Sequence, residues 1–243
     1  MSKPASADLR LGRWQDVLSD VTCDALIVDA PYSARTHNAH GRDDKSARAM
    51  PDPKKAPKPI NYACWDADDV DAFVDRWAPS TRGWFVSITD HSLAPAWSNA
   101  LERHNRYVFS PLAFVAPGSR IRLAGDGPSQ WSCWIVVARP RNATFHKWGT
   151  TPGGYVLPRQ QESEQLVIGG KPLWLMRSLV RDYTRPGDLV CDPCAGGGTT
   201  LLAALTEGRR AIGAEMDPAH YEIARKRLAA GYTPPLFFDD DAA

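Results

Sequence analysis

Two short segments, about 160 residues apart in the chain, combine residue types able to bind a ligand and do chemistry on it. The first is Asp188-Leu-Val-Cys-Asp-Pro-Cys-Ala-Gly-Gly-Gly-Thr-Thr-Leu-Leu, an apolar run that passes through glycines straight into a helical pattern. Gly196, Gly197 and Gly198 have no side chains, so a small molecule can lie against the main chain at the carboxyl edge of a sheet, where open α/β folds bind ligands. The next apolar run ends in Glu215, a carboxylate able to accept hydrogen bonds from both hydroxyls of a ribose. Together these point to an adenosine-containing ligand. The dinucleotide fingerprint requires a third glycine where this chain has Leu201, and a phosphate-cradling loop requires a Gly-Lys-Ser/Thr ending that is missing here. S-adenosylmethionine has no phosphates to hold and matches a turn without cations.

The second segment is Ala25-Leu-Ile-Val-Asp29 followed by Ala30-Pro31-Tyr32, which sets an acid, a rigid turn and an aromatic ring at the end of another apolar run. By itself it also reads as an ordinary strand-to-loop turn, with Pro31 stopping the ladder and Tyr32 packing on the rim. Cys191 and Cys194 spell Cys-x-x-Cys, but no second cysteine pair accompanies them, and Cys191 belongs to the strand pattern as a small apolar residue. His37 and His40 have no cysteine or acid at ligand spacing, so no metal is expected.

Elements able to position these segments follow from periodicity. Continuous apolar runs at Ala25–Asp29, Trp84–Thr89, part of Tyr107–Val115, Cys133–Ala138, Leu189–Asp192 and Ala211–Glu215 predict buried strands. Leu173, Met176, Val180 and Tyr183 recur at helical spacing up to Arg185-Pro186-Gly187. Thr199–Glu207 reads as a helix closed by Gly208, and Asp217 with Pro218 opens a last helix ending at Gly231. The predicted fold class is α/β: a central, mostly parallel sheet with helices on both faces, in one domain spanning residues 1–243. At 243 residues, 43% hydrophobic and 23% charged, the chain falls among ordinary globular proteins. No apolar run approaches the roughly 20 residues of a membrane span, and Met1–Arg10 lacks the apolar core of a secretory signal, which together predict a cytoplasmic protein with five thiols.

A net charge of +1 excludes a chain that grips polyanions over its whole surface, but it hides two basic blocks. The Pro/Ala-rich stretch from Arg35 to Lys58, within an expected basic mobile insertion at 33–65, holds Arg42 among its cations. The stretch from Arg139 to Arg159, within residues 139–168, carries Arg141 and Lys147 and no acid, with Phe145, Trp148 and Tyr155 interleaved. Either block fits a nucleic-acid surface or a solvated basic loop. Arg120 and Arg122, in Gly118–Gln130, fit a cleft or a hairpin loop.

Taken together, the segments carry a family resemblance. Asp29-Ala-Pro-Tyr32 resembles the Asp-Pro-Pro-Tyr motif of amino-group DNA methyltransferases, and Asp192-Pro193-Cys194-Ala195-Gly196-Gly197-Gly198-Thr199-Thr200 resembles their cofactor motif. With the catalytic motif first, the chain is similar to the β class, a circular permutation of the usual order within a Rossmann-like fold. Lys171-Pro172 and its helix resemble the motif ahead of the cofactor strand, Gly213–Tyr221 with Glu215, Met216 and Asp217 resembles the ribose-binding segment, and Leu11–Asp16 resembles the adenine-contacting turn. The resemblance implies S-adenosylmethionine held by these segments, from Asp16, Asp29 and Lys171 to Asp217. It also implies DNA as substrate, faced by Arg35, Arg42, Arg120, Arg122, Arg139, Arg141, Lys147, Trp148 and Arg159. A homodimer and a restriction endonuclease partner are compatible with it.

An exocyclic amino nitrogen is a poor nucleophile because its lone pair is delocalised into the ring. Asp29 can accept one N–H and the Ala30 carbonyl the other, drawing the nitrogen toward tetrahedral geometry, while Tyr32 stacks on a base flipped from the duplex. Alanine replaces the family's usual proline at position 30, keeping the carbonyl and losing the fixed φ. In the family an Asp at position 29 goes more often with adenine-N6 than with cytosine-N4 acceptors. Three readings follow: an adenine-N6 methyltransferase, a cytosine-N4 methyltransferase, and a catalytically idle homologue that binds nucleic acid.

Overall fold

The run Ala25–Asp29 forms strand β2, and its period of two is satisfied on both faces at once. Leu26 and Val28 enter one hydrophobic core while Ala25 and Ile27 enter another, as a strand covered by helices on both sides requires. The computed structural model describes residues 5–36, 63–117, 130–142, 148–158 and 169–231. Among these, the strands are β1 (Ala7–Leu11), β2, β3 (Phe85–Thr89), β4 (Arg106–Val108), β5 (Leu112–Val115), β6 (Ser132–Pro140), β7 (Gly154–Val156), β8 (Leu189–Asp192) and β9 (Arg210–Glu215). The helices are α1 (Trp14–Val17), α2 (Ala67–Trp77), α3 (Ala94–Arg103), α4 (Leu173–Tyr183), α5 (Thr199–Thr206) and α6 (Pro218–Ala230).

The strands join one sheet in the order β1-β9-β8-β2-β3-β6-β5-β7, with β4 also paired to β6. The pairings from β1 through β3 are all parallel, whereas β6 runs antiparallel to β3, β4 and β5. The expected mostly parallel sheet thus holds for the half that carries both motifs. The run Tyr107–Val115 divides into β4 and β5 around Phe109-Ser110-Pro111, because Pro111 has no N–H to give to a ladder.

On one face, α2 and α3 bring Phe73, Trp77 and Trp97 onto Leu26, Val28 and Phe85, with Phe73 and Trp97 edge to face at 5.5 Å. On the other, Leu175 and Leu179 of α4 and Leu201 and Ala204 of α5 cover Ile27, Val86 and Ile88. Helix α2 starts from a capping box: Asp66 Oδ1 accepts from the N–H groups of Asp68 and Asp69, and Asp69 Oδ2 accepts from Asp66 N–H. The last helix begins as the sequence predicts, with Asp217 Oδ1 accepting from Ala219 and His220 N–H. Among the described residues, no helix is long and apolar enough to cross a membrane.

The connections out of β2 and β8 diverge. From β2 the chain passes through α2 to β3 on one side, and from β8 it passes through α5 to β9 on the other. These two parallel strands are neighbours, so the crevice beyond their carboxyl ends is a topological switch point.

Candidate active site at the switch point

Adjacent strands β9, β8 and β2 each end in an acid: Glu215, Asp192 and Asp29. The register Ala25↔Val190 and Leu26↔Cys191 brings the end of β2 level with the turn that follows Asp192. The sequence-distant segments therefore meet at one sheet edge.

The glycine turn is shaped by left-handed backbone at Gly196 (φ 52°) and Gly198 (φ 74°), which any residue with a Cβ resists. It is tied down by its neighbours. Glu215 accepts from Gly196 N–H through Oε2 at 2.8 Å and from Asp217 N–H through Oε1 at 2.7 Å, and Ala195 N–H donates to Ala214 O at 2.9 Å. Asp192 Oδ1 accepts from Cys194 N–H at 3.0 Å. Arg227 of α6 donates to Thr199 Oγ1 at 2.8 Å. Gly213 lies directly beneath, where a Cβ would come within 2.7 Å of Asp192 O.

Burial pushes the Asp192 carboxyl up to about 7, against the hydrogen bonds from Thr200 and Cys194 and with the help of Asp29 and Glu215. The same burial raises the Cys194 thiol, and Cys191 is a buried member of the core. The turn thus presents glycine main chain, two carboxylates and no thiolate.

Across the crevice, Lys171 Nζ donates to Asp29 Oδ2 at 2.8 Å and to Gly169 O at 3.1 Å, and it sits 4.8 Å from the centre of the Tyr32 ring. Asp29 Oδ1 is buried without a hydrogen-bond partner. Burial raises the Asp29 carboxyl, and Lys171 and Tyr32 pull it partway back. Ala30 is buried in the core. The loop beyond Tyr32 is clamped by Asp90, at the end of β3. Its Oδ2 accepts from Ser33 N–H (3.0 Å), Ser33 Oγ (2.5 Å) and Thr36 Oγ1 (2.5 Å), while Oδ1 accepts from the N–H groups of Ser92 and Leu93 at the start of α3. Arg227 was absent from the sequence-predicted site, Gly213 entered it only as the first residue of the ribose-binding segment, and Lys171 was expected on the cofactor instead of the acid. Asp90, directly after the Trp84–Thr89 run, reads from sequence equally as a crevice residue or as an edge-of-sheet turn.

The remaining predicted residues divide between two edges. Met216 and Leu11 are exposed on either side of Glu215, and Gly12 N–H donates to Glu215 O, so the β1 end reaches the crevice. Asp16 is exposed on α1, just beyond it. Pro193 lies in the turn, and Arg35 is exposed in the short helical stretch 34–36 after Tyr32. Arg139, Arg141 and Trp148 are on the opposite edge. Because β6 is antiparallel to β3, pairing Trp134 with Thr89 and Ala138 with Phe85, its Arg139 end points away from Asp29. There Arg139 and Arg141 stack over Tyr107 at 4.8 and 5.4 Å, Arg185 lies 3.7 Å from the Trp148 ring, and Trp148 Nε1 donates to Asp182 O. Tyr155, one of the interleaved aromatics, is buried and donates to Asp182 Oδ2. Arg42, Arg120, Arg122, Lys147 and Arg159 lie outside the described residues, as does residues 37–62 of the expected insertion.

Residues 142–226 match the N6_N4_Mtase family model, described as DNA methylase. The type II methyltransferase M2.DpnII of Streptococcus pneumoniae is 42% identical over 60 residues, 25% of this chain and 22% of that protein. The chain spans about a quarter or less of the length of the curated relatives it first matches. Over longer spans the likeness is one of fold. The structure of M1.HpyAVI in complex with SAM superposes with a TM-score of 0.65 at 20% identity, covering 92% of this chain and all of that one. The PvuII DNA methyltransferase, described as cytosine-N4-specific, gives 0.59 at 15% identity, covering 100% of this chain and 91% of that one. The resemblance carried by the motifs is met: the chain has the fold of the M1.HpyAVI and PvuII methyltransferases and, over residues 142–226, the sequence pattern of the DNA methylase family.

Proposed function

We propose that the protein is an S-adenosylmethionine-dependent DNA methyltransferase acting on an exocyclic amino group, and specifically on adenine N6. The observation that carries this is the meeting of Asp29, with one carboxylate oxygen unpaired, and the glycine turn across one switch point.

The donor set fits the cofactor. Glu215 is held by two backbone N–H groups with lone pairs left for ribose hydroxyls, the left-handed glycines offer bare main chain, and the acids at 192 and 29 favour a cation between them. When bound, S-adenosylmethionine supplies a methyl group on a positively charged sulfur. The chain's residues do the rest. Asp29 accepts an N–H of the target amino group, the Ala30 carbonyl is the second acceptor, and Tyr32 offers its ring for stacking. Asp90 fixes the loop behind them.

Asp at position 29 supports adenine. The cytosine-N4 reading is kept by one observation, the PvuII-like fold over the full chain. Incubation with DNA and labelled S-adenosylmethionine, followed by nucleoside mass spectrometry, tests both. N6-methyladenine is the expected product, and N4-methylcytosine would transfer the assignment to the second reading. Asp29→Asn should abolish transfer while calorimetry still detects cofactor binding. Full activity in that variant would overturn the mechanism, and DNA retention by the wild type without transfer would make the protein an idle homologue.

A further inference from the structure

The one described cation that reaches Asp29 comes from a segment 142 residues away, and its placement is specific. Lys171 leaves 12% of its side chain exposed, Asp29 leaves 22%, and the ammonium is shared among Asp29 Oδ2, Gly169 O and the face of Tyr32. A lysine that only filled the wall would extend its flexible stem to water, where an ammonium is most strongly hydrated. Here the charge is turned inward onto the acid.

We infer that Lys171 is a positioning residue for Asp29: its ammonium grips one carboxylate oxygen, sets the plane of the group, and leaves the other oxygen as acceptor capacity for the incoming amino group. This rests on the proposed methyl-transfer reading of the same site.

The charges around Asp29 show why a cation is needed. Asp192 on β8 and Glu215 on β9 are acids in the same crevice, and Asp29 helps to raise the Asp192 carboxyl. From β6, Cys133 presents a thiol whose pKa burial raises, and the Tyr32 hydroxyl helps to hold the Asp29 carboxyl down. Burial favours the protonated acid, which would turn an acceptor into a donor. Lys171 opposes it, through its charge and its hydrogen bond. Removing it therefore raises the pH at which Asp29 ionises.

The test compares Lys171→Met and Lys171→Gln with Lys171→Arg, each checked for folding by circular dichroism. The carboxyl 13C resonance of Asp29, assigned by its loss in Asp29→Asn, is titrated in the protein without cofactor. In the neutral variants the Asp29 midpoint should move up by about one pH unit or more, and in Lys171→Arg it should stay near wild type. The acid limb of kcat/KM should move with it. At neutral pH, kcat should fall about tenfold with KM for DNA little changed, and most of the loss should be recovered at higher pH. An unmoved Asp29 resonance in a folded neutral variant, or an activity loss equal at every pH, would overturn the inference. Absence of transfer by the wild type would sink the proposed function instead, and the resonance titration would still judge Lys171.

Discussion

Replacing Asp192 by asparagine should stabilise the cofactor-free protein above neutral pH and leave it nearly unchanged in acid. Asp192 is 2% exposed, and burial lifts its carboxyl from 3.8 to about 7. Between those values the native protein holds a proton that the unfolded chain has released, so stability falls as pH rises through this window and levels off above it. A displacement of roughly three pH units corresponds to about 4 kcal/mol as an upper figure, because each unit is worth about 1.4 kcal/mol. Relaxation and water penetration reduce that to about 1–3 kcal/mol. Asparagine keeps an oxygen for Cys194 N–H, now 3.0 Å from Asp192 Oδ1, and its amide can donate to the Thr200 hydroxyl. For a chain of this size, about 2–4 °C of melting temperature per kcal/mol gives a rise of about 2–12 °C. Thermal unfolding of both proteins from about pH 3 to pH 9 checks it: the difference in Tm should grow as pH rises from about 4 to about 7 and level off above that. Adding S-adenosylmethionine should narrow or reverse the gap, since its cation gains from the ionised acid. A variant less stable at every pH, or a gap that does not vary with pH, would refute the assignment of a buried, elevated carboxyl.

Three further outcomes follow from the same edge. Gly213→Ala forces a Cβ to within 2.7 Å of Asp192 O and 2.9 Å of Leu201 Cδ1, so backbone must shift. The cost should be about 1–3 kcal/mol in denaturant unfolding, with weaker cofactor binding by calorimetry. Asp90→Ala removes an acceptor for Ser33, Thr36, Ser92 and Leu93 and should cost about 2–4 kcal/mol, with methyl transfer falling more than cofactor affinity. Burial alone would raise the Asp90 carboxyl, but these bonds hold it below its usual value, so the stability it adds is present above that value and is lost as pH falls. The double variant Arg139→Ala/Arg141→Ala should keep DNA affinity and turnover within about twofold, because both side chains stack on Tyr107 at the far edge. A large loss by fluorescence anisotropy would put the duplex on that edge.

Local chemistry was the most legible part of the sequence. The strands ending at Asp29 and Asp192 were read with their observed bounds, because continuous apolar runs closed by turn residues leave little choice. The Asp217 cap was equally plain. Helix α2 was legible but unread: Val70, Phe73, Val74 and Trp77 recur at helical spacing behind the Asp66 cap. The direction of β6 was the costlier blank. A basic, aromatic stretch can be recognised in sequence, but whether its strand delivers it to one edge of the sheet or the other depends on a pairing more than 40 residues away in the chain. Lys171 failed for a similar reason: its motif was visible, but its partner is 142 residues distant.

The three acids are held by different means, and the difference matches the division of labour proposed for them. Glu215 and Asp192 accept backbone N–H groups from the glycine turn itself, so the geometry of that turn and the charge it presents are set by one network. A ligand seated there meets carboxylates that are already oriented, and no side chain must reorganise to receive it. Asp29 takes no backbone N–H in that network. It is gripped by a side chain whose four-carbon stem can follow small movements of the acid, which suits a group that must engage a nucleotide arriving from a duplex. The cofactor side of the crevice is therefore fixed by the fold and the acceptor side by an exchangeable ion pair. Substitutions in the turn should consequently alter cofactor affinity and stability together, whereas substitutions at Lys171 should separate the ionisation of Asp29 from both.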